Sequence, residues 1–290
     1  MKLIAPKEGP LLELLRKVFA PASTTRIRKM VKHGMIMIDG RRVTRPDTVV
    51  KAGQSIVYRK AASAGMQQAP VPIVYEDRHL LIADKPPGLL TYGERGTTGT
   101  SLYRLLKGFL AEQAREKAEL FVVHRLDREV SGLVLFAKQQ PIQEQLKSNW
   151  QKTRKLYYAL VEGRMSEPAG TIESWLTEGA DHRMRSGAES RQAKWAVTHF
   201  RVLRSMAAHT LLEIELSTGR KNQIRVHLAE AGHPVVGDRR YGADAKVKRR
   251  IRLHAYYLAL PHPAHGRPLH VELPMPAGFL VLGEQDESYK

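Results

Sequence analysis

The 290-residue sequence predicts an α+β protein with a small basic N-terminal domain and a larger second domain. Segments with helical periodicity and segments with strand alternation occur in both parts. Residues 1–60 carry 14 basic and 4 acidic side chains, so net +10 of the chain's +18 lies there. Residues 61–72, AASAGMQQAPVP, are uncharged and aperiodic, as is typical of a linker. We therefore place the domains at residues 1–60 and 73–290, on either side of that linker.

The composition restricts the class of protein and the kind of partner. A net charge of +18 and a sequence pI of about 10.1 indicate a partner rich in phosphate. The chain has no cysteine, which excludes disulfides, thiolate zinc sites and cysteine nucleophiles. No apolar run approaches the roughly 20 residues that span a bilayer, and Pro6–Glu8 interrupts any signal-peptide core. We expect a cytoplasmic protein with no membrane partner.

The N-terminal domain reads as two helices followed by strands. Apolar residues at helical spacing predict a helix over Leu11–Phe19 that Pro21 ends, and Ser23 or Thr24 suits the cap of a second helix. Asp39-Gly40 predicts a tight hairpin turn between residues 35–38 and 41–43. A further strand is expected over Val49–Tyr58, and Gly34 is expected to end the second helix.

The second helix has a basic face. At 100° per residue, Arg26, Lys29 and Lys32 lie opposite Ile27 and Val31. A basic helix face is often only solvated, but a domain this rich in positive charge favours an RNA-binding surface. The order of helix, basic helix, hairpin and strand resembles the alpha-L RNA-binding module first known from a ribosomal small-subunit protein. The resemblance implies that Arg26, Lys29 and Lys32 contact RNA.

The second domain begins with a predicted hairpin and continues as an irregular mixture of helices and strands. Asn222 is expected to cap a helix that ends at Gly232. Residues 170–187 show no clear period, and Asp181–Arg185 reads as an exposed basic loop. The other predicted elements are strands at residues 73–77, 79–84, 155–163, 193–203 and 211–216, and helices at 101–119 and 141–152.

The carboxylate of Asp127 stands between Arg125 and Arg128, in a polar loop that joins two apolar runs. Phe121–Lys138, FVVHRLDREVSGLVLFAK, predicts two buried strands joined by a loop that contains Asp127. Arg125 and Arg128 flank Asp127 and favour its ionised form, as a nucleophile or base requires. The alternative interpretation of this spacing is a solvated charged loop that only joins two strands.

Three motifs give this loop a context. The segment at Asp127 fits H-R-L-D-x-x-x-S-G-L-x-L-F-A-K, and the segment at Tyr157 fits K-x-Y-x-A-x-V-x-G. The segment at residues 216–227 fits L-x-T-G-R-x-x-Q-I-R-V-H, followed by G-H-P-V-V-G-D. Together they resemble the RluA-type pseudouridine synthases over nearly the whole chain. Two departures occur: Val130 replaces the usual Thr, and Lys221-Asn222 replaces the usual Thr-His.

The resemblance implies a fold and a set of site residues. The fold is a mainly antiparallel mixed sheet with flanking helices. In the family the motif Asp, here Asp127, is the indispensable catalytic residue, and Arg225 pairs with it. We expect Arg225 to hold Asp127 through two parallel hydrogen bonds, which a lysine could not reproduce. Tyr157 is implied to pack against the uracil, although a strand tyrosine is more often an ordinary sheet residue. Arg125 is implied to fill the space that the flipped base leaves. His124, Arg220 and Gln223 are expected to contact the substrate.

The implied reaction is the isomerisation of uridine in RNA, in which the base is detached, turned and rejoined to the ribose through carbon five. Nothing outside the substrate is bonded, so the resemblance implies no cofactor. The histidines show no H-E-x-x-H or similar spacing, so we expect no metal site. We expect a monomer. Whether Asp127 attacks the ribose, attacks the base or removes a ribose proton stays open at this stage.

Three alternatives remain. A non-catalytic RNA-binding or ribosome-assembly factor would need only the basic domain. A glycosyl hydrolase normally needs two carboxylates at the scissile bond, and the motifs offer only Asp127, with Glu129 nearby. For a pseudouridine synthase, an appended RNA-binding module favours a large structured RNA. We therefore expect large-subunit ribosomal RNA as the target, with transfer RNA as the alternative.

Overall fold

A computed structural model describes residues 2–6, 8–19, 23–32, 36–39, 41–58, 69–93, 100–114, 118–244 and 250–281. For residues 2–4, 17, 18, 26, 29, 32, 41, 42, 58 and 114 it describes only the backbone. The chain divides into two compact units, residues 1–68 and 69–290. Val71, near the end of the expected linker, is buried in the core of the second unit. The domain limits at residues 60 and 73 stay a prediction.

The first unit combines two helices with a small antiparallel sheet. The elements are β1 (Lys2–Ile4), β2 (Gly9–Pro10), α1 (Leu11–Val18), α2 (Thr24–Lys32), β3 (Ile36–Ile38), β4 (Arg41–Val43), β5 (Val49–Val50) and β6 (Ser55–Tyr58). The sheet has the strand order β1-β6-β3-β4, and β2 pairs separately with β5.

Two predictions for this unit can be compared with the structure. The hairpin is confirmed: β3 pairs antiparallel with β4, and Asp39 has the positive φ of 47° that the turn requires. The single strand expected over Val49–Tyr58 is wrong. Gly53, with φ 84°, turns the chain there and separates β5 from β6. The expected helix end at Gly34 and the stop at Pro21 lie outside the described residues.

The second unit carries the larger sheet. Its elements are β7 (Ile73–Glu76), β8 (Leu80–Lys85), α3 (Leu102–Ala114), β9 (Phe121–Val122), β10 (Ser131–Ala137), α4 (Gln140–Ser148), β11 (Arg154–Glu162), β12 (Ala169–Glu178), β13 (Met184–Gly187), β14 (Lys194–Ser205), β15 (His209–Leu216), α5 (Gln223–Glu230), β16 (Leu253–Pro261) and β17 (Pro268–Glu272). Short 3-10 turns cover Trp150–Lys152 and Arg239–Tyr241.

The eleven strands form one sheet in the order β13-β12-β14-β15-β11-β16-β10-β8-β7, with β17 beside β16 and β9 beside β10. Within the described residues, β10 and β16 form the only parallel pair. The expected α+β class, with a mainly antiparallel mixed sheet, is therefore confirmed. No described helix has the length and apolar character needed to cross a membrane.

The parallel pair depends on a glycine. Gly132 has φ 114°, and a Cβ built on it would lie 2.2 Å from the carbonyl oxygen of Ala255. Only a residue without a side chain allows β10 and β16 to approach so closely. Because β16 also pairs with β11, this contact brings the Asp127 loop near the strand that carries Tyr157.

The helices cover the two faces of the sheet. Successive strand residues point to opposite faces, and Val134 packs in one apolar cluster with residues of α3 and α5, while Leu133 and Leu135 pack in another with Leu146 of α4. Helices α3 and α5 therefore share a face, and α4 lies on the other.

The weakest sequence prediction in this unit concerned residues 170–187. The structure forms a hairpin there, because β12 pairs with β13 through residues 175–178 and 184–187. The expected helix over 141–152 is shorter and gives way to a 3-10 turn at Trp150. The expected helix over 101–119 ends before residue 118, where the chain is already irregular.

Candidate active site

The loop between β9 and β10 holds Asp127 by bonds to the residues on either side of it. The Thr91 hydroxyl donates to the carbonyl of Leu126 (2.9 Å) and accepts from its amide (3.1 Å). On the other side, the Gly88 amide donates to the carbonyl of Arg128 at 2.8 Å. The backbone of the loop is thus fixed from residue 126 to residue 128, which limits the conformations of Asp127.

A buried lysine also donates a hydrogen bond to the backbone of this loop. Lys85 is fully buried, and its ammonium donates to the carbonyls of Pro86 (3.1 Å), Leu89 (2.8 Å) and Arg128 (3.1 Å). All three of its donors are therefore used. Burial lowers the pKa of Lys85 to about 8, against the opposing effect of the carboxylates of Asp127, Glu129 and Asp84. Lys85 joins the turn after β8 to the Asp127 loop.

Arg225 of α5 bridges two carboxylates. Its Nη1 donates to Oδ2 of Asp127 at 3.0 Å, while its Nε and Nη2 donate to Oδ2 and Oδ1 of Asp238 at 2.6 and 2.9 Å. The structure therefore corrects the expectation that Arg225 holds Asp127 through two parallel hydrogen bonds. The two parallel bonds of the guanidinium go to Asp238, and Asp127 receives a single hydrogen bond, from Nη1.

The ion pair between Arg225 and Asp238 is buried, whereas Asp127 is partly exposed to solvent. The side chains of Arg225 and Asp238 are 5% and 1% exposed, whereas that of Asp127 is 23% exposed. Burial alone would lower the pKa of Arg225, but the carboxylates of Asp238 and Asp127 outweigh it and raise that pKa. Arg225 is therefore a permanent cation. A third carboxylate, that of Glu129, lies 3.9 Å from Nη1 of Arg225 and is half exposed.

Tyr157 lies in β11, beside an irregularity of the sheet. The register between β11 and β16 shifts between Leu156 and Tyr157, and such bulges often re-aim side chains at active sites. The side chain is 8% exposed, and its hydroxyl has no hydrogen-bond partner within the described residues. Burial, together with the negative charge of Asp127, raises the pKa of Tyr157. The phenol therefore stays protonated and is electrostatically coupled to Asp127.

The structure gives His124 a structural set of contacts. Its Nε2 accepts a hydrogen bond from the backbone amide of Leu135 at 3.0 Å, and its ring stacks on Trp150 with centroids 4.8 Å apart. Burial, assisted by Lys155, lowers the pKa of His124 to about 3, so the ring is neutral as this bond requires. Both ring neighbours belong to the α4 face of the sheet. These contacts support the loop, and contact of His124 with the substrate stays a prediction.

The side chain of Gln223 also forms its hydrogen bonds within the protein. It is 2% exposed, its amide nitrogen donates to Val197 and Thr198, and its oxygen accepts from Thr218 and the amide of Arg220. No donor or acceptor remains for a substrate. The expectation that Gln223 contacts the substrate is therefore corrected, because its bonds fasten the start of α5 to β14.

The remaining predicted contacts are exposed cations. Arg220 donates its Nε to the carbonyl of Trp195 (2.9 Å), and the rest of its guanidinium makes no hydrogen bond or ion pair with the described residues. Arg125 is exposed and has no hydrogen bond or ion pair to any of them. Arg26, Lys29 and Lys32 lie on α2, but their side chains are outside the described part of the structure.

Several residues that build the site were missed by sequence reasoning. Asp238 belongs to the G-H-P-V-V-G-D segment quoted above, and Lys85 belongs to a D-K-P-x-G-L segment. Both residues therefore stand in recognisable motifs, but neither was predicted to have a role. Asn222 was expected to cap α5, yet it makes no capping bond and has φ 53°. Its side chain lies instead between Asp127 and Tyr241. Nowhere in the described residues do three or more His, Asp or Glu side chains form a metal-binding group.

Comparison with known proteins gives this arrangement its context. The model of the family described as RNA pseudouridylate synthase matches residues 79–230, just over half of the chain, and the S4 domain model matches residues 14–56. The chain is 33% identical to "Ribosomal large subunit pseudouridine synthase D" of Vibrio vulnificus, over 94% of this chain and 89% of that protein. It is 34% identical to "Uncharacterized RNA pseudouridine synthase YhcT" of Bacillus subtilis, over 95% and 93%.

A solved structure agrees with these relatives. "Human RNA Pseudouridylate Synthase Domain Containing 4" superimposes with a TM-score of 0.61 at 25% identity, covering 71% of this chain and 89% of that one. The resemblance drawn from the motifs, including the N-terminal RNA-binding module, is thereby confirmed. The chain belongs to the RNA pseudouridylate synthase family and is a pseudouridine synthase that carries an N-terminal S4 domain.

Proposed function

We propose that this enzyme converts one or more uridines of large-subunit ribosomal RNA to pseudouridine, with Asp127 as its catalytic residue. Several relatives that match more than nine-tenths of the chain carry the name ribosomal large subunit pseudouridine synthase D. The basic N-terminal unit supports a large structured RNA as the target. Transfer RNA is the competing target. Cytoplasmic location and a monomeric state belong to the same proposal, and light scattering tests the latter.

One observation carries the assignment of Asp127. Its carboxylate is the exposed end of a chain of charges that begins at fully buried Asp238 and passes through Arg225. A buried ion pair fixes the guanidinium, and the guanidinium fixes one oxygen of Asp127, so no reorganisation is needed when the substrate arrives. The geometry suits a group that must meet a reacting sugar or base in one orientation.

Tyr157 supports the reaction in its neutral form. A phenol that keeps its proton cannot act as a phenolate base, but its ring offers an apolar surface for the uracil, and its unpartnered hydroxyl lies within the electrostatic influence of Asp127. We propose that the ring packs on the flipped base. The hydroxyl then lies near carbon five, from which a proton must leave at the end of the reaction.

The exposed arginines suit the capture of the substrate strand. A uridine in a helix is inaccessible and must be flipped out, at a cost of roughly a few kcal/mol. Arg125 has no partner within the described residues and stands two residues from Asp127, so its side chain is available to occupy the space that the base leaves. Arg220 is available for phosphate contact through the part of its guanidinium that does not bond Trp195.

The proposal is tested by mapping pseudouridines in ribosomal and transfer RNA from cells with and without the protein. Loss of one or more pseudouridines from large-subunit ribosomal RNA in the deletion strain, restored by the wild-type gene, is the expected result. Loss confined to transfer RNA would overturn the proposed target. An unchanged map would favour a non-catalytic role in ribosome assembly, and abasic sites made by the purified protein would indicate a hydrolase.

A further inference from the structure

The start of helix α5 has an unusual backbone conformation. Asn222 has φ 53° and ψ 18°, in the left-handed region that side chains other than those of Asn, Asp and His seldom enter. Its side chain is 9% exposed and makes no hydrogen bond to the first amides of the helix. The conformation turns the amide away from the helix and directs it to Asp127 and Tyr241. The left-handed backbone at Asn222 therefore places its side chain in the site instead of capping the helix.

The neighbours of Asn222 fix which way its amide points. The hydroxyl of Tyr241 lies 2.9 Å from one end of the amide and already accepts a hydrogen bond from the backbone amide of Met184 at 3.1 Å. Its own proton therefore needs an acceptor. With the amide oxygen directed at Tyr241, the hydroxyl donates to that oxygen, and the amide nitrogen then faces Asp127.

The distances at Asp127 support the same orientation. The amide nitrogen of Asn222 lies 2.6 Å from Oδ2 of Asp127 and 3.2 Å from Oδ1. In the opposite orientation an amide oxygen would stand 2.6 Å from a carboxylate oxygen with no proton between them, which is repulsive. The one bond favouring that orientation, from Nη1 of Arg225, is long at 3.3 Å. Amide ends are assigned from such partners, and here they favour nitrogen toward Asp127.

We infer that Asn222 is a positioning residue for the catalytic carboxylate, an inference that rests on the proposed role of Asp127. Oδ2 accepts the bond from Arg225 and the shorter of the two bonds from Asn222, whereas Oδ1 accepts the longer one. Oδ2 is therefore the more firmly anchored oxygen, and we expect Oδ1 to meet the substrate. The Tyr241 hydroxyl holds Asn222, and its ring lies 5.1 Å below the guanidinium of Arg225. Position 222 is one at which this chain departs from the usual Thr-His of the RluA-type motif.

Two substitutions at this position separate hydrogen-bond donation from packing. Asn222→Asp keeps the shape and the left-handed tolerance, but it removes the donor and places a second carboxylate against Asp127. Asn222→His keeps an N–H donor and also tolerates this backbone. The rate of pseudouridine formation in a single turnover is measured on ribosomal RNA extracted from cells that lack the enzyme. RNA affinity is measured on the same material.

We expect Asn222→Asp to slow the single-turnover rate at least roughly 100-fold and Asn222→His less than about tenfold. RNA affinity should change less than about threefold in both, because phosphate contacts dominate it. Tyr241→Phe should slow the rate roughly three- to tenfold and add nothing in the Asn222→Asp background. Asn149→Asp makes the same chemical change at the residue that follows α4, away from Asp127, and should leave the rate at the wild-type value.

A stability measurement tests the contact without any RNA. Asn222→Asp should lower the melting temperature through repulsion between two carboxylates. Exchanging the partners, Asn222→Asp with Asp127→Asn, restores one donor and one acceptor, so it should recover most of that loss while leaving the enzyme inactive. Equal rates for wild type and Asn222→Asp would overturn the inference, as would equal losses in the Asp and His variants or no recovery in the exchanged pair. A wild-type enzyme inactive on ribosomal RNA would instead contradict the proposed target, and the exchange would still decide the role of Asn222.

Discussion

At the scale of single residues, the site depends on one guanidinium that contacts two carboxylates. Arg225 uses Nε and Nη2 on buried Asp238 and Nη1 on Asp127. A point charge such as an ammonium lacks the planar fork that makes this possible. Asp238 therefore determines where Arg225 lies, and Arg225 determines where Asp127 lies.

The first prediction is that Arg225→Lys slows pseudouridine formation at least roughly 100-fold, since one ammonium cannot bond both carboxylates in their present positions. The single-turnover rate on ribosomal RNA is measured after circular dichroism has shown that the variant is folded. Arg154→Lys is the matched control, because Arg154 also forms a two-bond pair, with Glu215, but on an exposed surface. A folded Arg225→Lys enzyme with a near-normal rate would mean that this arrangement is not needed.

Part of the site could be predicted from the sequence. A carboxylate flanked by two arginines in a polar loop between apolar strands made Asp127 a candidate, and the structure has such a loop between β9 and β10. The ion pair between Arg225 and Asp238 links residues of α5 and the following loop, and no periodicity encodes such a pair. Likewise Asn222 was expected to cap because its type suits caps, whereas tertiary contacts determine its conformation.

At the scale of elements, the strand pair β10 and β16 depends on Gly132. We predict that Gly132→Ala destabilises the protein by at least roughly 3 kcal/mol or prevents folding, because the new methyl group would overlap the Ala255 carbonyl and the φ is positive. Chemical denaturation measures the change.

The control for this substitution is another glycine. Nothing lies within 4 Å of a Cβ at Gly108, which is inside α3. Gly108→Ala should therefore stabilise the protein by roughly 0.5–1 kcal/mol. A Gly132→Ala protein as stable as wild type would contradict the close approach of the two strands.

A second element-scale prediction concerns the turn between β7 and β8. Burial alone would raise the pKa of Asp77, but hydrogen bonds from the Leu80 and His79 amides, the Tyr75 hydroxyl and His262 lower it to about 2, from an ordinary value of 3.8. The unfolded chain therefore takes up this proton first as the pH falls. The stabilisation is complete above the ordinary value and is lost as the pH falls through about 2.

We therefore predict that Asp77→Asn lowers the free energy of unfolding at pH 7 and that the difference from wild type shrinks as the pH approaches 2. Denaturation curves between these pH values measure it. Asp181 also has a pKa lowered to about 2, mainly by Arg185, but it is exposed, so solvent should make the effect of Asp181→Asn much smaller. A pH-independent difference for Asp77→Asn would show that shape, not charge, stabilises this turn.

The fold could be predicted where one face of an element is apolar. The two strands around Asp127 and the β7–β8 hairpin were expected and are present, because apolar runs between polar turns identify them. The β12–β13 hairpin was missed because polar residues alternate with few apolar ones and Trp175 lies on the other face from Leu176. The family resemblance supplied the mainly antiparallel mixed sheet, but the order of its strands was not predicted, since pairing across long stretches of sequence leaves no local pattern.

At the scale of the whole molecule, the most basic part of the chain and the candidate catalytic residues belong to different units. Net +10 lies in residues 1–60, while Asp127, Tyr157 and Arg225 all lie in the second unit. Deleting residues 1–60 should weaken RNA binding, raise KM and leave kcat nearly unchanged. This is the result expected when the lost contacts bind the substrate and the transition state equally well. Each lost phosphate contact on a single-stranded segment should lower the log–log salt slope by roughly 0.7.

The truncated protein must first be shown to be folded. The first unit has its own apolar core, around Leu11, Leu15 and Ile27, and the second unit has others, so each unit has internal packing. Binding is then measured across a series of salt concentrations for both proteins. A folded truncation whose salt slope and KM equal those of the full chain would show that the basic unit binds something other than the substrate RNA.

The central claim is that the Asp127 carboxylate performs the chemistry on ribosomal uridine. The most direct measurement is single-turnover formation of pseudouridine by purified Asp127→Asn on ribosomal RNA from cells lacking the enzyme, with RNA affinity measured in parallel. Asn keeps the shape of Asp but has no anionic oxygen, so we predict no detectable product and an affinity within about threefold of wild type. Measurable turnover by a clean Asp127→Asn preparation would contradict the account.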